Sequence, residues 1–339
     1  PFTVPLVMSS PPLSSSSSLS PQDQDALTLS QLSSISASIA STTPFLTTEI
    51  LPLSYLFSSS YASDDEDQGA NANAAGAAQG EGEEEKGGSG GGRRTWRKQI
   101  EDVGGRYGGY RGVRGDGNCF YRAFVFRLAE VLCAGGEGGK GGKGGNGDGN
   151  GDGDGNGTTT TSLPPHASPL QRRFFSLITS SLTDCSSAGM DSTTLSVFHD
   201  ECVDLFASLP SSSPSDVLDL LTDEGGPSEY ITWYMRALTA VRLKADVDRF
   251  SLYLPEEYFG SMQSFVDKEV LPMGRECDQL QIMALCEYFG VGVEIVYVDG
   301  RRETAKVHRL GPEENEVEIV LMYRPGHYDV LYPKAKDKD

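Results

Sequence analysis

The stretch Arg114-Gly115-Asp116-Gly117-Asn118-Cys119-Phe120-Tyr121-Arg122-Ala123-Phe124 constrains this chain more than any other. Two glycines and an asparagine force a tight turn, because both residue types reach unusual backbone conformations at little cost. Directly after it, Phe120, Ala123, Phe124, Leu128 and Val131 recur at helical spacing, which predicts a buried helix with Cys119 in its first turn. Backbone N–H groups point out of that end and the helix dipole is positive there. Both favour a thiolate, and the same donors suit an oxyanion. A cysteine at a helix start taken alone reads first as a buried structural thiol, and a partner base is needed to favour the catalytic reading.

The candidate base lies near the other end, in Arg324-Pro325-Gly326-His327-Tyr328-Asp329-Val330-Leu331-Tyr332. His327 leaves a turn onto a predicted strand, and with a strand period of two Asp329 shares its face. Asp329 is then expected to accept the Nδ1–H of His327, leaving Nε2 to take the proton of Cys119. The competing reading is an edge-strand histidine with a solvated aspartate. His308 is a second candidate base, but it falls in a charged loop without an acid two residues on. Asp116, three residues before Cys119, is a third carboxylate placed to hold the turn or the oxyanion site. His199, within a predicted helix, reads as an ordinary surface or core histidine.

Between these ends the pattern is helical first and extended last. Ile50, Leu53, Leu56 and Phe57 predict a short amphipathic helix within 46–61, and Trp96, Ile100 and Val103 form one apolar stripe. Helical spacing continues over 169–206, 215–221 and 228–250, and Asp278 and Gly290 bracket a helix at 279–289. Val291–Val298, Val317–Tyr323 and Tyr328–Tyr332 alternate as strands. Helices followed by antiparallel strands give an α+β domain. Residues 1–45 are Ser/Thr/Pro-rich and expected to be disordered, a single folded domain is expected over 46–333, and 334–339 is a charged tail. Low-complexity inserts interrupt the domain at about 64–92 and 134–166. Within the second, Asp148, Asn150, Asp152 and Gly153 imitate the start of a calcium loop, but Thr159 stands where the closing glutamate belongs, so a plain solvated loop is expected. Asn156-Gly157-Thr158 is a glycosylation sequon, without meaning in the cytosol.

The formal net charge is −20, which argues against nucleic acid or an anionic membrane as partner. The two inserts hold twelve acidic and three basic side chains, so they carry −9 of it and the remainder of the chain −11. Six cysteines without a C-x-x-C pair suit a reducing compartment. No apolar run has the length of a membrane span, Pro1–Met8 lacks the basic flank of a signal peptide, and no arginine precedes Arg93 in the Ser-rich start. A cytoplasmic or nuclear location is expected.

The segments Asp116–Phe124 and Arg324–Asp329 together resemble the otubain branch of the OTU cysteine proteases. Lys268-Glu269-Val270-Leu271-Pro272-Met273 with Glu276-Cys277-Asp278, Phe198-His199-Asp200, Ser228-Glu229-Tyr230, Ile50-Leu51-Pro52-Leu53-Ser54 and Gln99-Ile100-Glu101-Asp102 are similar to further otubain segments. The likeness covers about 46–333. It implies a papain-like OTU fold, with helices around a small, mostly antiparallel C-terminal sheet, and hydrolysis of isopeptide bonds at the C-terminus of ubiquitin. It implies Cys119 as nucleophile, His327 as general base and then acid, Asp329 as the orienting acid and Asp116 as the acid beside the nucleophile. Neither a metal nor an organic cofactor is implied. The expected partners are ubiquitin and polyubiquitin, extending to ubiquitin-conjugating enzymes, with acidic walls attracting the arginines of ubiquitin's tail. Gly115, Gly274, Arg275 and Gln279 depart from the family's pattern. The rival expectations are a non-catalytic binder of ubiquitin or a conjugating enzyme, a protease for another ubiquitin-like modifier, and a redox thiol protein.

Overall fold

The computed structural model describes residues 44–57, 90–134, 162–315 and 317–334, all within the unit Thr43–Asp339. The expectations for residues 1–43, for most of both inserts with the calcium-like loop and the sequon, and for 335–339 lie outside the described residues. In chain order the longer elements are α1 (Gly90–Arg106), β1 (Tyr107–Arg111), α2 (Cys119–Ala134), α3 (Pro169–Ser187), α4 (Ser192–Ser208), α5 (Pro214–Thr222), α6 (Ser228–Ala245), α7 (Gln279–Phe289), β2 (Gly292–Tyr297), β3 (Lys306–Leu310), β4 (Glu318–Arg324) and β5 (His327–Pro333), with single helical turns between α6 and α7.

Helix α2 is the axis of the fold. Every residue from Cys119 to Phe126 is buried, and all but Arg122 are uncharged, as a helix enclosed on every side requires. It packs against β4 and β5 on one side and α5 and α6 on the other. Phe120 meets the Tyr328 ring edge-on at 5.7 Å and Phe124 tilts against Phe289 at 5.5 Å. Each such phenylalanine is worth roughly 1.5–3 kcal/mol of burial, so the helix that starts at Cys119 is fixed at its first turn by core packing.

The five strands form one sheet in the order β1-β5-β4-β2-β3. β2 and β4 run parallel and the other three pairs antiparallel, so the sheet is mostly antiparallel, as expected. One strand was not foreseen. Tyr107–Arg111 contains two glycines and no alternation, yet it forms β1, because its edge position against β5 requires backbone pairing rather than two packed faces. β3 was also missed, and His308 lies on it rather than in a loop. As an edge strand it keeps Lys306 and Arg309 exposed, which discourages further pairing. The sheet face away from α2 is covered by Ile100 and Val103 of α1 and by Leu53 and Leu56.

The amphipathic helix expected at 46–61 is not present over its described part. Only Leu53–Phe57 is helical, as a 3-10 turn. Residues 44–52 form an extended strap, in which Leu46 and Leu51 bridge Val113 and Tyr110. Thr47 donates its N–H to the Gly112 carbonyl (2.9 Å) and Arg114 donates to the Phe45 carbonyl (3.0 Å). Pro52 pushes Leu51 toward extended backbone, and the edge of β1 offers the partners a helix would otherwise supply. Pro44 and Phe45, placed in the tail by composition, belong to this strap.

The remaining helices follow their signals. Ser168 and Gln171 form a capping box at α3, Asp191 caps α4 after Gly189 (φ +78°) breaks the 169–206 run, and Asp278 with Gln281 caps α7, which ends on left-handed Gly290 (φ +63°). The helix expected over 228–250 breaks at Asp246, which leaves helical backbone after Ala245, and resumes as a single turn over Val247–Phe250. His199 is a core histidine whose Nε2 faces the Ile178 carbonyl at 3.1 Å.

Candidate active site

The turn before α2 is held by contacts from distant parts of the chain. Gly117 has φ +74°, and a Cβ there would overlap the Gly274 carbonyl. Two glycine backbones therefore meet, one from the turn and one from the loop before α7. Asn118 joins them: its Oδ1 accepts the Gly274 N–H (2.9 Å) and the Nε and Nη2 of Arg236 (3.2 and 2.7 Å). Arg236, fully buried on α6, also donates to the carbonyls of Gly117, Val270 and Arg275 at 2.9, 3.0 and 2.6 Å. These partners are all neutral oxygens, and enough of them converge to compensate the desolvated guanidinium.

Asp116 closes the turn on itself. Its Oδ1 accepts the Asn118 N–H (3.0 Å), an Asx-type turn, and Arg122 grips both carboxylate oxygens at 3.0 Å. Arg122 also pairs with Glu229 at 2.8 Å. The turn-holding role left open for Asp116 is the one its described contacts show. The Asn118 N–H, counted with the turn's oxyanion donors, is engaged by Asp116.

Cys119 is the first residue of α2 and only 4% exposed. His327 is the first residue of β5, 8% exposed, and Asp329 follows on the same strand face with no exposure. The imidazole Nε2 lies 2.9 Å from Asp329 Oδ1, which reverses the expected use of the ring nitrogens. Strand spacing puts the two side chains on one face but leaves open which ring nitrogen points along it, and the rotation of the ring sets Nε2 toward the acid. Nδ1 is turned toward the glycine turn, 3.4 Å from where a Cβ on Gly115 would lie. Burial opposes a charged His327 ring. The Asp329 charge and hydrogen bond, with lesser contributions from the Cys119 sulfur, outweigh it and lift the ring to about 10.

Asp329 is saturated. Oδ1 also accepts the Val113 N–H (3.0 Å), and Oδ2 accepts Nε and Nη2 of Arg324 at 3.0 and 2.6 Å. Burial alone would raise this carboxyl, but His327, Arg324 and the Val113 N–H hold it below the usual range. Arg324 and Val113 were not singled out as site residues. Arg324 was visible only as part of a motif, and Val113 acts through its backbone, which leaves no side-chain signal.

His308 is not part of this constellation. Three inter-strand steps separate β3 from β5, about 14 Å. Glu276 is closer: its Oε1 lies 3.2 Å from where a Cβ on Gly326 would be. Burial and the neighbouring Asp278 raise its carboxyl, with His327 opposing, and burial with Glu269 raises that of Asp278. The six cysteines are free. Cys277 and Cys286 are buried, and burial raises both thiols, as befits structural residues. An indentation of about 430 Å³ beside Arg173, Tyr288 and Gly290 shares no residue with the Cys119 site. Among the described residues, no cluster of His, Cys, Asp or Glu is arranged to hold a metal, and no helix is long and apolar enough to cross a membrane.

The family model described as Peptidase C65 Otubain matches residues 91–139 and 166–333. Ubiquitin thioesterase OTUB1 of Homo sapiens is 30% identical over 239 residues, covering 70% of this chain and 75% of that protein. Ubiquitin thioesterase OTUB2 of Homo sapiens is 28% identical over 245 residues, covering 72% and 89%. The Arabidopsis thaliana OVARIAN TUMOR DOMAIN-containing deubiquitinating enzyme 1 is 27% identical over 255 residues, covering 71% and 75%. In fold, the chain is similar to h/ceOTUB1 in a solved complex with ubiquitin aldehyde and UBC13~Ub, with TM-score 0.65 and 21% identity over 92% of this chain and 100% of that one. With a family model matched over most of its length, the chain belongs to the otubain family of cysteine peptidases.

Proposed function

We propose that this otubain is a deubiquitinase that hydrolyses the isopeptide bond after ubiquitin's C-terminal glycine. The observation that carries the reading is the buried Asp329–His327 couple turned toward Cys119 at the start of α2. Cys119 is the nucleophile, and its sulfur adds to the glycine carbonyl. His327 is the base that takes the thiol proton at Nδ1 and the acid that returns it to the departing lysine amine. Water then attacks the thioester with His327 as base, releasing ubiquitin and the free thiol. Asp329 holds Nε2–H, so that the reacting nitrogen is Nδ1. Because the Asn118 N–H is engaged by Asp116, the Cys119 N–H is the backbone donor we assign to the oxyanion. Asp116 holds the turn rather than touching substrate.

Glu276, a surface carboxylate partly desolvated beside the Gly326 turn that leads into His327, suits the arginines of ubiquitin's tail. The solved OTUB1 complexes contain ubiquitin aldehyde with UBC13~Ub or UBCH5B~Ub. We extend the same partner classes, ubiquitin and ubiquitin-conjugating enzymes, to this chain.

The test is covalent labelling by ubiquitin carrying a thiol-reactive C-terminal electrophile, in wild type and Cys119→Ala. Labelling of wild type alone supports nucleophile and substrate together. If folded wild type is not labelled, the deubiquitinase reading fails, and the binder or the protease for another modifier takes its place.

A further inference from the structure

We infer that Phe45, in the strap ahead of α1, is a positioning residue for the Cys119 turn. Phe45 is 4% exposed, although Thr48, Glu49 and Ile50 just after it are exposed. Its ring centre lies 4.1 Å from the guanidinium carbon of Arg114 and 4.4 Å from that of Arg122. One aromatic ring therefore serves two arginines that flank the turn on either side in sequence.

The Arg122 contact leads to the nucleophile. Arg122 is fully buried, and its Nε has no hydrogen-bond partner among the described residues. Only its terminal nitrogens are tied, to Asp116 and Glu229. The ring of Phe45 supplies the remaining constraint on the guanidinium. The fork of Arg122 fixes Asp116, and Asp116 fixes the N–H of Asn118, the residue before Cys119.

The backbone of the strap reaches the other half of the site. The Phe45 carbonyl accepts the Arg114 N–H, and Leu46 bridges Val113, whose own N–H donates to Asp329. Nucleophile turn and orienting acid are thus braced by the same two strap residues. A leucine at 45 keeps an apolar side chain of somewhat smaller volume and the backbone bonds but removes the π face.

The kinetic arm of the test rests on the deubiquitinase reading; the exchange arm does not. Phe45→Leu and Phe45→Tyr are made in the full chain. Amide hydrogen exchange is followed across 113–122 and, as a control, across α3, alongside kcat and KM on ubiquitin bearing a C-terminal fluorogenic amide. For Phe45→Leu, exchange at Gly117–Cys119 should quicken and kcat should fall, each roughly fivefold to tenfold. KM should stay within about twofold, α3 should be unaffected, and Phe45→Tyr should restore both readouts. Unchanged exchange at the turn, quickening shared equally by α3, or a loss that tyrosine does not rescue would overturn the inference. Should wild type turn over no ubiquitin substrate, the functional reading fails and the exchange data alone decide the place of Phe45.

Discussion

Replacing Asp329 with asparagine removes a charge from the site with little change of shape. The carboxylate accepts on both sides: His327 and the Val113 N–H at Oδ1, and two nitrogens of Arg324 at Oδ2. An amide has one acceptor oxygen, so its NH2 must face donors on one side or the other. Breaking a buried pair in this way costs about 3–5 kcal/mol. The effect also has a pH signature. His327 is lifted from the usual 6.5 to about 10, with the Asp329 charge the largest contribution acting upward. At about 1.4 kcal/mol per pH unit, that lift is roughly 5 kcal/mol of preference for imidazolium in the fold.

Because the folded value exceeds the unfolded one, this stabilisation is complete below about pH 6.5 and is lost as pH rises through about 10. The Asp329 contribution has the opposite sense: it is present above the unfolded value of about 3.9 and is lost as pH falls through the depressed folded value. Urea denaturation at pH 6, 8 and 10 should show wild type losing stability across this range. Asp329→Asn should be several kcal/mol weaker at pH 6 and flatter from pH 6 to 10. Its kcat/KM on a ubiquitin C-terminal amide should fall about 100-fold or more, since positioned acid–base catalysis contributes 10²–10⁴. A variant with the wild-type stability slope between pH 6 and 10 would refute the coupling of His327 to Asp329.

Further outcomes follow from the turn. Arg236→Met strips the buried donors that join Gly117, Asn118, Val270 and Arg275; thermal denaturation should report a loss of about 2–4 kcal/mol, and turnover should drop more than tenfold. Gly117→Ala combines positive φ with overlap on the Gly274 carbonyl; it should lower stability by about 2 kcal/mol or more and slow labelling by the ubiquitin electrophile, whereas Gly115→Ala, at a glycine without positive φ, should do much less. Deleting 135–161, between the end of α2 and Ser162, should leave kcat/KM within about twofold, because loop length enters closure entropy only logarithmically; a large loss in a folded deletion mutant would show that the insert takes part.

The sequence displayed the parts of the site that depend on local order. Cys119 could be placed at a helix start from the glycine turn and the apolar period, and His327 and Asp329 on one strand face from their spacing. Which ring nitrogen faces the acid was misread, because strand period gives a face but not the rotation of a ring. Arg324, Arg236 and Phe45 were illegible in their roles, since each acts on residues that only the tertiary fold brings near. Arg236 and Asn118 are 118 positions apart, and no local pattern records such a meeting. β1 escaped for a related reason: Gly108 and Gly109 suppress the alternation of a strand, and its pairing with β5 comes from the far end of the chain. The α+β class was readable because α7 and β2 switch period abruptly at Gly290.

The pairing of β1 with β5 also orders events in time. Val113 and Asp329 are 216 positions apart, and the strand bearing His327 is the last of the sheet. During synthesis the Cys119 helix emerges long before the His327 strand, and until that strand arrives Cys119 lacks the base proposed for it. On that proposed assignment, the nascent chain is proteolytically silent until β5 leaves the ribosome and docks between β1 and β4. Loop-closure entropy makes that docking a late, non-local step. Activity is then expected to coincide with completion of the sheet, and a chain cut short before β5 carries Cys119 without its proposed base.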